Sequence, residues 1–173
     1  MTESSRLEVE AVSWPEVAAG DDLAAMIVAS TALRDGDIVL LTSKVVSKAE
    51  GCVVVGDRRD VVTAQAQRVL ARRGDAIIAE TAHGLVMAAA GVDNSNTPAG
   101  TVLTLPVDPD HTAREIREQI LSATRANVAI VITDTLGRAW RNGQIDLAVG
   151  CAGITPLNDL QGTIDTHANV LNV

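Results

Sequence analysis

The spacing of apolar residues changes several times along this chain, and each change marks an element. Leu7, Val9 and Ala11 alternate with Glu8, Glu10 and Val12, the period of a half-buried strand. Trp14-Pro15-Glu16 interrupts it. From Gly20 the period lengthens, and Leu23, Met26, Ile27 and Ser30 fall on one face of a helix that Asp21 can cap. Residues 34–37 read as a turn and residues 38–41 as a short buried strand, which runs into a polar loop at residues 42–51. Residues 53–55 read as a further strand. Asp60 can cap a helix with Val62, Ala66, Val69 and Leu70 on one face, closed by Gly74.

Residues 76–79 then read as a strand, 84–90 as a small apolar run, 91–96 as a polar loop and 102–107 as a strand. After Asp108-Pro109-Asp110, Thr112 and Glu115 form a potential capping box, with Ala113, Ile116 and Ile120 facing inward. Residues 128–132 are a continuous β-branched and apolar run that breaks into Thr133, Asp134 and Thr135; residues 147–154 are small and close-packing. Strands and helices alternate only loosely, which predicts an α+β fold of mixed α/β layers, not a regular doubly wound sheet.

Composition narrows the function. A length of 173 residues with 47% hydrophobic content suits one domain or a compact pair of subdomains. Trp14 and Trp140 are the only aromatics, too few for stacking a single-stranded nucleic acid. The net charge of −8, with no long basic run, also argues against nucleic acid as a partner. No apolar run reaches the roughly 20 residues of a membrane helix. Cys52 and Cys151 have neither metal-ligand spacing nor a disulfide framework; with no visible signal peptide, they read as buried thiols of a cytoplasmic chain.

Three polar segments follow apolar runs, and they carry the candidate chemistry. They hold Ser43, Lys44, Ser47 and Lys48; then Asp93, Asn94, Ser95 and Asn96; then Thr133, Asp134, Thr135, Arg138 and Arg141. In sheets flanked by helices, ligands sit at the carboxyl ends of strands. Asp93 and Asp134 could share a hard cation such as Mg²⁺, which takes oxygen ligands and is often completed by substrate phosphates. Lys44, Arg138 and Arg141 could neutralise or grip phosphate or an acidic substrate. Read singly, each segment is also an ordinary turn or a solvated face. The familiar Gly-rich nucleotide loops and the G-x-S-x-G elbow are absent from the sequence.

The same segments carry a resemblance. Thr42-Ser-Lys-Val-Val-Ser-Lys-Ala-Glu-Gly51, His83-Gly-Leu-Val-Met-Ala-Ala-Ala-Gly-Val-Asp-Asn-Ser-Asn96, Leu105-Pro-Val-Asp-Pro-Asp110 and Thr133-Asp-Thr-Leu-Gly-Arg-Ala-Trp-Arg-Asn-Gly-Gln144 are co-linear across nearly the whole chain. Together they resemble the coenzyme F420-0 gamma-glutamyl ligases, including the N-terminal domain of the actinobacterial two-domain form. The resemblance implies the ligase fold in an intertwined homodimer. It also implies a GTP-dependent reaction joining L-glutamate to coenzyme F420-0 through an acyl phosphate, with Mg²⁺ or Mn²⁺ and with K⁺. Carried over by motif, Asp93, Asp134 and Thr135 are metal ligands, and Ser43, Lys48 and Asn96 contact the nucleotide. Trp14, Pro15, Glu16 and Val17 stand where the family has a Leu-Pro-Glu nucleotide-binding turn, with Trp14 in place of the leucine. The family's domain extends past Val173, so residues 1–173 read as a ligase domain incomplete at its C-terminus. His167-Ala168 stands where the family often has Tyr-Gly. The alternatives are a non-catalytic module that binds nucleotide or dimerises, and a different metal-dependent phosphotransferase.

Overall fold

A computed structural model describes residues 6–137 and 142–172. Its elements in order are α1 (Leu23–Ser30), β1 (Ile38–Thr42), α2 (Ser43–Ala49), β2 (Val53–Val55), α3 (Arg58–Gln65), β3 (Arg68–Arg73), β4 (Ala76–Glu80), β5 (Val86–Ala88), a 3₁₀ turn (Ala89–Gly91), β6 (Thr101–Leu103), α4 (Pro109–Thr124), β7 (Ala129–Gly137) and β8 (Gln144–Ala152). The fold is α+β, as the loose alternation predicts.

The first layer is a mixed sheet in the order β1-β7-β8. β1 runs parallel to β7 with Leu41 opposite Ile132 and Thr42 opposite Thr133, and β8 returns antiparallel to β7. Ile130 and Ile132 on β7 are fully buried while Val131 between them is not, the alternation of a one-sided sheet. Helix α4 covers that face with Ala113, Ile116 and Ile120, the stripe its sequence predicts. Leu23 and Ile27 of α1, Leu41 and Val46 complete this core. The long crossover between the parallel strands carries a second, smaller core of Val61, Val62, Ile77, Ala79, Ala90, Val92 and Val102. It draws on α3, on the β3-β4-β5 sheet and on the β2-β6 pair.

Several local expectations change. Residues 7–12 form no strand: Leu7 and Val9 are 89% and 82% exposed, and alternation without a neighbouring strand leaves the backbone to water. Asp22, not Asp21, caps α1, accepting the Ala25 amide at 2.9 Å; Asp21 instead accepts the Ala18 amide. The polar segment after β1 is helix α2, not a loop. Its paired spacings, Ser43 with Ser47 and Lys44 with Lys48, are i,i+4 repeats, and both serines are buried beside Val46.

Asp57 rather than Asp60 caps α3, and that helix ends at Gln65. Val69 and Leu70 belong to β3, and Gly74, at φ +57°, makes the hairpin turn to β4 instead of closing a helix. β6 stops at Leu103, ahead of Pro106, which has no amide to extend a ladder. Asp108 caps α4 through the His111 amide; Thr112 turns its hydroxyl to Glu50 at 2.6 Å and forms no capping box. β7 runs on through Thr133, Asp134 and Thr135, pairing them with Ala148, Leu147 and Asp146 across a bulge at Ile132/Thr133. Cys52 and Cys151 are free but only partly buried.

The docking of α4 against β8 depends on Gly150. A Cβ there would lie 2.5 Å from the Pro109 carbonyl carbon, whereas one at Gly137 would meet nothing within 4 Å. Gly150→Ala should therefore cost about 1–3 kcal/mol in urea unfolding, and Gly137→Ala under about 0.5 kcal/mol. Equal costs for the two would remove the packing constraint.

Candidate functional site

The parallel pairing of β1 with β7 puts two chain segments side by side at their carboxyl ends. Beyond Thr42 the chain turns into α2, and opposite Thr133 the strand continues to Asp134. Ser43 donates its hydroxyl to Asp134 Oδ1 at 3.1 Å. The loop after the 3₁₀ turn brings in the second carboxylate. A bridge between Asp93 and Leu103 fixes that loop to β6, and the Ser95 amide and hydroxyl both donate to Asp93, at 2.9 and 2.8 Å. Lys44, on the first turn of α2, places its ammonium on Asp93 and on the Ser95 hydroxyl, with the Ser95 carbonyl at 3.5 Å.

The two carboxylates sit in opposite electrostatic conditions. Burial works against ionising Asp93, but hydrogen bonds from Lys44 and from Ser95, with the Lys44 charge, outweigh it and hold the carboxyl at about 2. Burial raises Asp134 above the usual carboxylate range; the Ser43 hydroxyl and the Thr135 amide partly offset this, while the nearby charge of Asp93 adds to it. Adjacent residues of α2 thus join the two carboxylates, Ser43 bonding Asp134 and Lys44 pairing with Asp93.

Beside them lies a cleft of about 300 Å³ lined by Val12, Trp14, Pro15, Glu16, Val17, Thr42, Lys44, Val45, Lys48 and Asn96. Segments far apart in sequence meet here: the irregular stretch at residues 14–17, helix α2, and Asn96 from the Asp93 loop, at φ +54°. Lys48 is largely covered, and its ammonium reaches Glu16 at 3.1 Å. The Trp14 indole donates to the Ser30 hydroxyl at 2.8 Å, which fixes the ring against α1.

Of the residues singled out from sequence, Trp14, Pro15, Glu16, Val17, Lys44, Lys48 and Asn96 share this cleft, and Ser43, Asp93 and Asp134 gather at its edge. Thr135 is placed differently. Successive strand residues point to opposite faces, and the Thr135 hydroxyl donates to Asp146 Oδ1 at 2.8 Å across the β7–β8 ladder. Arg138 and Arg141 lie outside the described residues. Ser95 reads from the sequence only as a member of the Asp93 loop, with no role of its own; the structure shows it bonded to both Asp93 and Lys44.

Two mutually repelling carboxylates edged by hydroxyls are a donor set for a hard cation. Among the described residues, no three His, Cys, Asp or Glu side chains gather at one point. A cation on Asp93 and Asp134 would thus draw its remaining oxygens from water and ligand phosphate. The donor set fits a substrate-bridging Mg²⁺ or Mn²⁺ better than a caged structural ion.

The fold and site define an α+β domain with a cluster of charged and polar side chains where a parallel strand pair ends. Comparison with known proteins is more specific. The family described as F420-0:Gamma-glutamyl ligase matches residues 11–69 and 57–173. The chain is 35% identical over 178 residues to the coenzyme F420:L-glutamate ligase of Methanopyrus kandleri, covering 91% of this chain and 71% of that one. It is 34% identical over 182 residues to the enzyme so named in Methanothermobacter thermautotrophicus, covering 91% and 72%. For Archaeoglobus fulgidus the values are 33% over 189 residues, covering 97% and 76%. The chain belongs to the F420-0:gamma-glutamyl ligase family.

The carboxylates make a stability prediction with opposite signs. Asp93 titrates at about 2 when folded, below the 3.8 of a free aspartate, so its contribution is present above pH 3.8 and is lost as pH falls toward 2. Asp134 is raised, so its contribution to stability declines as pH climbs above 3.8 through its folded value. At pH 7, Asp93→Asn should lower Tm; solvent screening at this part-exposed pair keeps the loss near about 1 kcal/mol. Asp134→Asn should leave Tm at or above that of the unsubstituted protein. Thermal melts that rank the two the other way would contradict this reading.

Proposed function

We propose that this chain is a GTP- and metal-dependent ligase joining the amine of L-glutamate to the carboxylate of coenzyme F420-0. The observation that carries the reading is the convergence of Glu16, Lys44, Lys48 and Asn96 on one cleft beside the Asp93–Asp134 pair. A free carboxylate is a poor electrophile, so amide formation needs activation. In the proposed reaction a carboxylate oxygen of the acceptor attacks the γ-phosphorus of GTP and GDP leaves, which gives an acyl phosphate. The neutral amine of glutamate then attacks the acyl carbon, inorganic phosphate departs, and the amine loses a proton.

Both steps bring anions together, and catalysis of such transfers is mainly positioning and charge neutralisation. Asp93 and Asp134 would hold Mg²⁺ or Mn²⁺, which would offset phosphate charge. Lys48, paired with Glu16 in the cleft, would supply a point charge to a polyphosphate there. The stretch at residues 14–17 and Asn96 would line the remainder of the nucleotide. Arg138 and Arg141 remain candidates for the acidic substrates on chemical grounds, and Thr135 and K⁺ enter the reading through the family resemblance.

Association with a second copy belongs to the same proposal. Ile38 and Leu40 on edge strand β1 are 53% and 66% exposed, and Val55 on β2 is 83% exposed. Apolar edges of this kind are usually covered.

The test is an incubation with GTP, Mn²⁺, K⁺, L-glutamate and coenzyme F420-0. Mass spectrometry should find glutamylated product, with GDP and phosphate released in equal amounts. Asp134→Asn should reduce turnover by at least about a hundredfold, and Lys48→Met should raise KM for GTP more than it lowers kcat. GTP binding without product would instead favour a non-catalytic nucleotide-binding module. Turnover of other acceptors alone would favour a different phosphotransferase.

A further inference from the structure

The cation position at the paired carboxylates is already served by a charge from the chain itself. Lys44 carries its ammonium to Asp93 and Ser95, and its field also favours the ionised form of Asp134. The side chain is 26% exposed, so the ammonium has given up much of its water for this contact. Its stem also lines the adjoining cleft, beside Lys48 and Asn96. Lys44 and Lys48 lie four residues apart on α2, where like charges repel. Each is relieved by a different acid, Asp93 for one and Glu16 for the other.

We propose that Lys44 is an internal counter-cation: it holds the Asp93–Asp134 pair together in the metal-free protein and is displaced into the cleft when a divalent cation enters. The proposal rests on the reading that these carboxylates take such a cation. An ammonium and a divalent ion on one carboxylate pair repel each other, so metal entry favours release of the lysine. α2 is anchored by buried Ser43, Val46 and Ser47, so the helix stays and only the flexible stem turns. The cleft that Lys44 already lines can receive the freed ammonium, where it adds charge for a polyphosphate. Metal binding and phosphate binding then become cooperative through one side chain. Lys44 is thus a positioning residue that couples two ligands.

The test measures Mn²⁺ binding without nucleotide, by calorimetry, for the unsubstituted protein, Lys44→Met and Lys44→Arg. Lys44→Met keeps the stem and removes the competitor. It should bind Mn²⁺ about tenfold more tightly and melt at a lower temperature when metal-free. Lys44→Arg keeps a charge and should stay within about threefold of the unsubstituted protein. A merely structural role predicts the opposite sign, since losing a support for Asp93 would weaken the metal. Equal or weaker binding by Lys44→Met therefore overturns the displacement while leaving the metal site standing. Absence of Mn²⁺ binding in every protein overturns both. A second readout uses the unsubstituted protein and so does not depend on the variant folding. Mn²⁺ should increase amine acylation of Lys44 relative to Lys48, read by mass spectrometry, and unchanged or reduced labelling overturns the proposal.

Discussion

The parallel pairing of β1 with β7 is the constraint on which the site depends. It sets Thr42 opposite Thr133, so the chain leaves one strand as Ser43 where the other continues to Asp134. The Ser43–Asp134 hydrogen bond spans 91 residues of sequence. Everything between has to leave and return, and that crossover is a second small core delivering Asp93 to the same place. Packing energy from Ile130, Ile132, Ile116 and Ile120 holds a register whose value lies at its polar end. Burial that disfavours the charge of Asp134 is a local cost of the kind functional sites carry and the core offsets.

Charge within the site is answered unevenly. Lys44 pairs with Asp93 and Lys48 with Glu16, while Asp134 accepts from the Ser43 hydroxyl and the Thr135 amide and feels the Lys44 charge without a direct ion pair among the described residues. The two lysines come from one short helix, so α2 links the carboxylate pair to the cleft. On an acidic chain this local arrangement concentrates positive charge at one end of the first sheet.

Much of this was legible in the sequence. The stripe of α4, the apolar run of β7 and the co-linear polar segments gave the fold class, the core helix and most of the residues that meet at the cleft. What stayed hidden depended on partners distant in sequence. Residues 7–12 alternate like a strand but pair with no strand among the described residues, and Val69 and Leu70 fit a helix face until the hairpin around Gly74 claims them. The i,i+4 serines and lysines of α2 were a helix signal masked by their polarity, because buried serines look like a loop when only hydrophobicity is read. Ser95 could not be distinguished from a turn residue without the lysine that reaches it from α2.

The most direct measurement is the anomalous diffraction of crystals grown with Mn²⁺ and a non-hydrolysable GTP analogue. The account predicts one strong peak between Asp93 and Asp134, a phosphate oxygen in its coordination sphere, and the Lys44 ammonium withdrawn from Asp93 into the cleft. A fully occupied nucleotide with no peak at these carboxylates, or with the peak held by other residues, would contradict it.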